Sequence, residues 1–380
     1  MTTRWLSLSD LAVDLSSLRL QLLDHAQLLG FSGVGVSAPQ LEQDGEKLQR
    51  LWQQGYGGNM QYLVKHGSKR WRPEELVPGT LRVISLSMSC WPPAADSLSA
   101  LADPDRAYIA RYALGRDYHK VMRPRLAKLA TWLYQTSGIH QGRAFVDSAP
   151  VLEKRLAEQA GIGWIGKHTL LLSRQQGSAL LLGEIYTNIP LPIDIPVDNH
   201  CGSCQACMEI CPTRALRAPY VLDARLCISY LTIESREDIP ESLRPALGNR
   251  IFGCDDCQLV CPWNRYARTT QERDQQIRHG LHAVHLNELA YWDEALYEHK
   301  TEGSALRRIG YTGFMRNIAV GLGNARPLAK NLQAIAHLQR HPADQVQRHA
   351  DWAARNIERR LATAQHAVCP DPETTACPTP

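Results

Sequence analysis

The stretch CGSCQACMEICP, residues 201–212, constrains the fold of this chain more than any other feature, because it places four cysteines within eleven positions. Thiols at this density are typical of three kinds of site: a zinc ion, a set of disulfides or an iron–sulfur cluster. Zinc and disulfides stabilise structure, whereas iron–sulfur clusters transfer electrons. The remaining sequence has to distinguish these three.

The distribution of cysteines and the N-terminal sequence disfavour disulfides. Eight of the eleven cysteines lie between residues 201 and 261. The N-terminal stretch MTTRWLSLSDLAVDLSSL lacks a basic segment followed by an apolar core, and no run of 18 apolar residues occurs, so we expect neither a secretory signal nor a membrane span. These features predict a cytoplasmic protein, and cytoplasmic cysteines are kept reduced.

The spacing of the cysteines favours two [4Fe–4S] clusters. Residues 201–212 follow C-x2-C-x2-C-x3-C-P, the bacterial ferredoxin pattern in which the fourth cysteine binds the neighbouring cluster. A second stretch, CDDCQLVCPWN (254–264), is one cysteine short of a copy, and Cys227 is the only cysteine between the two. Structural zinc favours separated CxxC pairs and leaves this order unexplained. Crossed ligation then predicts Cys201, Cys204, Cys207 and Cys261 for one cluster, and Cys211, Cys227, Cys254 and Cys257 for the other.

The residues before the cysteines indicate an α+β domain, residues 1–193, because helical and strand-like patterns do not alternate regularly. The runs HTLLLS and SALLLGEIYTN flank RQQG and predict a hairpin. A proline-rich linker at 189–197 leads into a ferredoxin-like domain, residues 194–275. The predicted elements are a helix over 8–30, strands at GVGVSA and 81–91, a long helix bent or restarted at Pro124, and a strand ending at Asp147 before a helix that Gly161 caps.

The C-terminal part is predicted to be helical, residues 276–365, with paired helices similar to HEAT repeats. The tail, residues 366–380, is rich in Pro and Thr and is expected to be disordered. Between Lys300 and Leu361 there are eleven Lys and Arg against four Asp and Glu, in a chain whose net charge is only +4. This basic block indicates either a polyanionic partner or a solvated basic surface.

Asp147 closes an apolar strand just before a helix, a position at which α+β enzymes often place catalytic groups. The alternative interpretation is a helix-capping or surface acid. Two other motifs are rejected. The stretch GIGWIG (161–166) matches a nucleotide-binding pattern, but a helix precedes it and a strand follows, the reverse of what that pattern needs. The stretch DYHKVM has Met122 where the cobalamin-binding D-x-H-x-x-G motif has glycine.

Several stretches together resemble the epoxyqueuosine reductase family, in matching order and spacing from about residue 20 to about residue 360. The resemblance implies an N-terminal domain that binds cobalamin beside the nearer of two clusters, with a plan related to reductive dehalogenases. It also implies reduction of epoxyqueuosine to queuosine at the wobble position of tRNAs with GUN anticodons. The stretches are RYALGRDYHKVMRPRL, FVDSAPVLEKRLAEQAGIGWIGKH, CGSCQACMEICPTRAL, CISYLTIE and NRIFGCDDCQLVCPWNRYA.

The resemblance also implies roles for individual residues. Asp147, in FVDSAP, matches the family's proton donor, a role for which burial beside the corrin has to keep it protonated. Arg70, Lys167 and Ser229 match regions that line the cobalamin, as does Asp147 itself. The basic C-terminal block becomes a surface for tRNA phosphates. Its candidate contacts are Arg307, Arg308 and Arg316.

Three other classes of protein remain as alternatives: a ferredoxin-type electron carrier, a cobalamin and iron–sulfur reductase of the dehalogenase type, and a zinc-binding nucleic-acid protein. For the reductase we expect a monomer, an unidentified protein as electron donor and no membrane association. Cys90, Cys369 and Cys377 have no assigned role and are expected to be free thiols.

Overall fold

The computed structural model describes residues 14–92, 95–265 and 267–368, with side chains of the last helix through residue 363. The helices are α1 (Leu15–Leu28), α2 (Glu42–Gln53), α3 (Pro73–Leu76), α4 (Ser97–Ala102), α5 (Tyr118–Ser137), α6 (Glu153–Gln159), α7 (Ala206–Glu209), α8 (Arg244–Leu247), α9 (Asp256–Leu259), α10 (Leu286–Leu289), α11 (Glu294–Lys300), α12 (Gly310–Asn324), α13 (Ala329–Leu338) and α14 (Asp344–Val368). The strands are β1 (Gly33–Ser37), β2 (Arg82–Ser89), β3 (Tyr108–Ile109), β4 (Gly142–Phe145), β5 (Trp164–Ile165), β6 (Leu171–Leu172), β7 (Leu180–Thr187), β8 (Leu216–Ala218), β9 (Val221–Leu222) and β10 (Arg250–Phe252).

A four-stranded antiparallel sheet in the order β1-β2-β7-β4 organises the N-terminal part of the chain. Its two faces differ in composition. Side chains such as Ile84, Leu86 and Ile185 pack under α1 and α5 in a fully buried apolar core. The other face lies under α6 and includes Gly35, where a Cβ would come within 2.0 Å of the Ala160 carbonyl oxygen. Helix α6 therefore packs closely against the sheet.

The C-terminal helices form a second core together with an earlier part of the chain. Helices α10 to α14 pack with residues 95–114, whose strand β3 pairs in parallel with β10. Asp105, only 1% exposed, accepts hydrogen bonds from Arg326 and Asn331 and so fastens this segment to the helices. Residues 95–114 thus belong to the helical core rather than to the sheet.

Most of the predicted elements form, and two differ from expectation. Helix α5 continues through Pro124 without a break. Proline removes one N–H donor from the helix, but its φ angle is compatible with helical backbone. The predicted hairpin is wrong, because β6 pairs with β5 while β7 is a central strand between β2 and β4. Only the local bridge between Ser173 and Gly177 remains of it.

The α+β class is confirmed, whereas the division at residues 193, 275 and 365 and the HEAT-like character stay predictions. No helix within the described part of the chain is long and apolar enough to cross a bilayer. The expectations for Cys369, Cys377 and almost all of the tail concern residues outside the described ranges.

Candidate active site and cysteine centres

The first predicted set of cysteines lines one cavity of about 240 Å³. A turn at Gly202, with φ +48°, and the short helix α7 carry three of the thiols, and the fourth precedes Pro262 at the end of α9. Burial raises the pKa of Cys207, and the neighbouring thiols of its set raise it further. The set consists of Cys201, Cys204, Cys207 and Cys261.

The second set lies deeper in the protein. Burial raises the pKa of Cys257 well above its usual value, with Cys227 as the strongest neighbouring charge. Cys211 in turn acts on Cys227, and Cys257 on Cys254, so each of the four predicted thiols has a neighbour within this set, although Cys207 of the first set also acts on Cys257. This arrangement is compatible with crossed ligation, in which each run of cysteines contributes one ligand to the other run's cluster; the ligand sets stay a prediction.

The donor sets suit clusters better than single ions. Within the described residues, no three His, Cys, Asp or Glu side chains converge closely enough to hold one metal ion. A zinc ion draws its thiolates to about 2.3 Å, whereas each thiolate of a [4Fe–4S] cube binds a different iron. Thiols spread around a cavity are the arrangement that a cube needs.

Two larger cavities meet at Tyr62 and Asp147. The first, of about 580 Å³, is bordered by the second cysteine set through Cys227 and by Ser229 and aromatic side chains. The other, of about 510 Å³, lies between α2, α6 and the segment that carries Arg70. Ligand cavities usually measure about 300–1,000 Å³, so two adjoining ones leave room for an unusually large ligand.

Asp147 lies two residues beyond the end of β4, between these cavities, in a left-handed backbone conformation with φ +23°. It caps no helix, since the cap position of α6 is Leu152 and no side chain bonds there. The Asp147 side chain is 46% exposed in the protein chain alone. The burial expected for a protonated donor therefore has to come from whatever fills the cavities.

Sequence reasoning missed Tyr118 and His119, which hold the Asp147 carboxylate. The Tyr118 hydroxyl donates a short hydrogen bond to Oδ2, and His119 Nε2 lies 3.6 Å from the same oxygen. On its other side, His119 Nδ1 is 2.9 Å from Oδ1 of Asp117, the residue that caps α5. Both side chains belong to the stretch DYHKVM, in which an acid two residues before a histidine at a helix start was the available signal.

The three remaining predicted cobalamin contacts separate in the structure. Arg70, 6% exposed, donates to the carbonyl oxygens of Tyr62 and Val151 and lines the second large cavity. Ser229 lines the first. Lys167 lies elsewhere, because its Nζ donates to the carbonyl oxygens of Gly202 and Cys204 on the outer cysteine loop. Lys167 lines neither large cavity, so the structure does not support its predicted contact with cobalamin.

One of the three predicted tRNA contacts is corrected, and the other two stay predictions. Arg316 is fully buried and donates to the carbonyl oxygens of Leu231, Ser235 and Glu237, so the prediction that it contacts phosphates is wrong. Arg308 pairs with Glu234 through two hydrogen bonds of 2.7 and 2.9 Å. Arg307 pairs with Glu298 at 2.8 Å. The last two line the first large cavity.

Two families match parts of the chain. Residues 200–264 match the family described as "4Fe-4S double cluster binding domain". Residues 70–148, which end just after Asp147, match "Epoxyqueuosine reductase QueG, DUF1730". Together with the two cysteine sets, the first match defines the chain as an iron–sulfur protein with two [4Fe–4S] clusters.

Relatives with similar sequences cover nearly the whole chain. An epoxyqueuosine reductase of Pseudomonas aeruginosa is 53% identical over 90% of this chain and 95% of its own length. That of Escherichia coli is 50% identical over 92% of each. This chain belongs to the epoxyqueuosine reductase family and is an oxidoreductase.

Solved structures agree with this assignment. A selenomethionine-labelled epoxyqueuosine reductase superimposes with a TM-score of 0.83 at 25% identity, over 95% of this chain and 96% of the other. A structure with the same values holds an epoxyqueuosine-modified tRNA-Tyr stem loop. In another, from Bacillus subtilis, a catalytic loop named for an aspartate is swung out of the active site.

Proposed function

We propose that this enzyme reduces epoxyqueuosine in tRNA to queuosine, with Asp147 as the acid that protonates the leaving oxygen. The position of Asp147 carries the proposal: it lies where two large cavities meet, one of which borders the deeper cysteine set. The tRNA stem loop bound by one structural relative supports this substrate. The catalytic aspartate loop of another agrees with an acid on a loop rather than on a strand.

The cofactors are assigned by the donor groups that the chain offers. The outer set of Cys201, Cys204, Cys207 and Cys261 holds one [4Fe–4S] cluster, and the deeper set holds the other. The adjoining cavities suit a large macrocycle with apolar faces, and the buried Arg70 Nε, without a partner in the protein, is a donor for its polar substituents. Cobalamin bound there supplies a cobalt centre that accepts electrons and reduces the carbon of the C–O bond, a task beyond any side chain.

The protein's own contribution to the reaction is proton transfer and positioning. As the C–O bond opens, the leaving oxygen gains negative charge and takes a proton from Asp147. Tyr118 fixes the carboxyl, and burial followed by the Asp147 charge raises the pKa of its phenol, so that it remains a donor. His119, oriented by Asp117, adds a second contact to the same oxygen.

Unpaired cations beside the first large cavity are better candidates for phosphate contacts than the basic block. Lys120, Arg273 and Arg278 line a polar cavity of about 560 Å³ with Arg116, and among the described residues only Arg116 forms an ion pair there. This basic groove adjoins the active cavity, because Asp117 N donates to the Gly303 carbonyl oxygen at 2.6 Å in the shared wall. We assign it to the phosphates that flank the modified nucleotide.

Mass spectrometry of tRNA nucleosides tests the function. Cells that lack this gene and any redundant reductase are expected to accumulate epoxyqueuosine, and restoring the gene is expected to restore queuosine. The matched control restores a Cys227→Ser variant, which removes one ligand of the deeper cluster and leaves the outer set complete. Unchanged queuosine on deletion contradicts the proposal.

A further inference from the structure

The loop that carries the outer cysteine set lies at the surface of the protein. Cys204 is exposed, whereas the other seven predicted cluster ligands are half-buried or buried. Gly202, Ser203 and Gln205, its neighbours in the loop, are exposed as well. None of the four thiols of the deeper set is exposed. Because electron transfer between proteins slows steeply with distance, an external donor reaches the outer set more readily than the deeper one.

Hydrogen bonds hold this loop in place. The Lys167 Nζ atom donates to the carbonyl oxygens of Gly202 and Cys204 at 2.6 and 2.8 Å. The Asn199 side chain accepts a hydrogen bond from the backbone N–H of Cys201 at 2.9 Å. The exposed thiol is therefore presented on a preformed surface, and the ammonium group of Lys167 places a positive charge beside it.

The segments that form the outer site are strongly basic. Residues 165–176, 199–218 and 257–269 hold six cations and one acid, a balance of +5, which exceeds the +4 of the whole chain. Among the residues that the structure describes, no ion pair involves any of the six. We call these cations the outer basic surface; they are Lys167, Arg174, Arg214, Arg217, Arg265 and Arg268, and the acid is Glu209.

Contacts between the segments bring their cations to the same region. Arg174 Nη2 lies 2.7 Å from Nε2 of His200, which lines the cavity of the outer set. The backbone N–H of Arg268 donates to the carbonyl oxygen of Gln175, the residue after Arg174, at 3.4 Å. Arg265, three residues before Arg268, is exposed, as are Arg174 and Arg268. Positive side chains from separate segments therefore border the outer set.

Two exposed apolar side chains belong to the same segments. Ile210 is 47% exposed and Val260 is 36% exposed. Each follows one of the two short helices α7 and α9, which pack against each other, and each directly precedes a Cys-Pro pair. Interfaces between proteins combine an apolar centre with a polar rim, whereas a phosphate backbone gains little from exposed aliphatic side chains. The composition of this surface therefore favours a protein partner over RNA.

We propose that the outer basic surface binds an acidic electron-transfer protein, which reduces the outer cluster; this inference rests on the proposed function. The partner is a small protein whose one-electron redox centre, a flavin or an iron–sulfur cluster, lies beneath a negatively charged face. In each encounter the donor centre loses one electron and the outer cluster gains it, and no covalent bond forms or breaks. Two such encounters supply the two electrons that, with two protons, convert the epoxide into an alkene and water.

The basic groove assigned to tRNA phosphates is a separate surface. It shares no lining residue with the cavity of the outer set, and its cations come from other segments of the chain. The outer basic surface is thus not needed for that assignment. Opposite charges on two proteins raise the rate at which they associate, and salt screens this attraction. An acidic partner therefore predicts a rate of electron transfer that depends on salt and on these cations.

Stopped-flow electron exchange between the holoenzyme and a plant-type [2Fe–2S] ferredoxin, an acidic one-electron carrier, tests the surface in both directions and without tRNA. The double variant Arg265→Glu/Arg268→Glu reverses two charges outside the cysteine sets. We expect the wild-type rate constant to fall about tenfold between about 20 and 300 mM salt, and the variant to exchange electrons about tenfold more slowly at low salt. Its iron and sulfide content, and its photoreduction by deazariboflavin, a small uncharged reductant, are expected to stay at wild-type levels.

Lys330→Glu/Arg340→Glu is the matched control, because it makes the same charge change at two exposed cations in and just after α13. It is expected to exchange electrons at nearly the wild-type rate, and Arg265→Glu/Arg268→Glu is expected to bind the tRNA stem loop like the wild type. Three results overturn the proposal: a wild-type rate that salt does not change, equal rates in the two double variants, or lost tRNA affinity with unchanged electron exchange in Arg265→Glu/Arg268→Glu. A wild type that exchanges electrons as expected but forms no queuosine contradicts the proposed function instead.

Discussion

At the scale of single residues, the candidate site depends on a backbone conformation that few side chains favour. Asp147 has φ +23°, where a residue with a Cβ costs about 1–3 kcal/mol unless its surroundings compensate. Tyr118 and His119 both contact one of its carboxyl oxygens, and Arg123 donates to the hydroxyl of Ser148, the next residue along the loop. These contacts fix the direction of a carboxyl group that lies on a loop.

The central prediction at this scale concerns Asp147→Asn. The amide preserves size and one hydrogen-bond acceptor but has no acidic proton, so turnover is expected to fall by about 100-fold or more. The visible absorption of the clusters and the cobalamin content are expected to stay at wild-type levels. Conversion is measured as queuosine formed per enzyme under a chemical reductant, and a fully active variant contradicts the assignment.

A second residue-scale prediction concerns stability and pH. Burial, followed by the Asp147 charge, raises the pKa of Glu153 to about 8 in the folded protein, so between its ordinary pKa and that value the unfolded chain releases a proton that the folded protein retains. This group therefore stabilises the fold at acidic pH and loses that contribution as pH rises toward 8.

Glu153→Gln has no such ionisation. Its melting temperature is expected to fall less steeply than that of the wild type between pH 5 and pH 8, in anaerobic thermal unfolding of the holoenzyme. The variant Ser85→Ala, which removes a buried hydroxyl but no acid, serves as the control and keeps the wild-type slope. Identical slopes for Glu153→Gln and the wild type contradict a raised pKa for Glu153.

At the scale of elements, a π-helical turn joins the deeper cysteine set to the C-terminal helices. This turn, residues 230–234, follows Cys227 and Ser229. Carbonyl groups of the turn and of the residues just after it face helix α12. Arg316 reaches from α12 and donates to three of these carbonyl oxygens at 2.6–3.0 Å. Arg316, predicted from the sequence to contact tRNA phosphates, thus positions the wall of the active cavity.

Replacing Arg316 with Ala is expected to lower the stability of the holoenzyme strongly. Three buried carbonyl groups lose their donor, and each unsatisfied buried group costs about 1–3 kcal/mol. Arg316→Lys retains charge but not the planar fork, so its melting temperature is expected to lie between those of the wild type and Arg316→Ala. Arg348→Ala, which breaks an exposed pair with Asp238, is the control and is expected to melt close to the wild type.

Crossed ligation gives a second element-scale prediction, because one cysteine of each run serves the other run's cluster. Cys211→Ser is expected to disturb the deeper cluster, although three other cysteines of its own run bind the outer one. Cys261→Ser is expected to disturb the outer cluster. Iron and sulfide content and the paramagnetic resonance spectrum of each reduced variant distinguish the two losses, and identical spectra for the two variants contradict the exchange.

At the scale of the whole molecule, the surface charge differs from the charge along the sequence. Five of the eleven cations in the basic C-terminal block pair with acids that lie outside it, among them Arg326 with Asp103 and Asp105, Arg348 with Asp238, and Arg355 with Glu241. The basic groove instead combines residues from three separate segments. Electrostatic attraction of tRNA is therefore expected there.

Salt dependence of tRNA binding tests the groove. Each phosphate contact contributes about 0.7–0.9 to the slope of log K against log salt. Lys120→Ala and Arg278→Ala are each expected to weaken binding and to reduce the slope by about that amount. Lys128→Ala is the matched control, because Lys128 is an exposed, unpaired cation two turns further along α5. Unchanged slopes in both groove variants contradict the assignment.

The sequence alone determined what depends on local spacing. Ligand spacing is a property of a short loop, so the cysteine pattern indicated two clusters and the exchange of ligands between runs, and the neighbouring thiols of each set agree with it. Local sequence patterns likewise predicted helices α1, α5, α6, α12 and α14 and the four strands of the central sheet. The family resemblance singled out Asp147, whose catalytic role stays a prediction, although the structure excludes helix capping.

Only the tertiary structure decided what depends on contacts between distant residues. Arg316 is buried, so it donates hydrogen bonds within the protein and does not contact phosphates. Long-range ion pairs neutralise Arg308 and Arg326. Strand pairing replaced the local hairpin, because β7 gains two partners in the central sheet. Tyr118 and His119 contact Asp147 across gaps of about 30 residues in sequence. Periodicity cannot detect such pairs, since it reports only which face of an element is apolar.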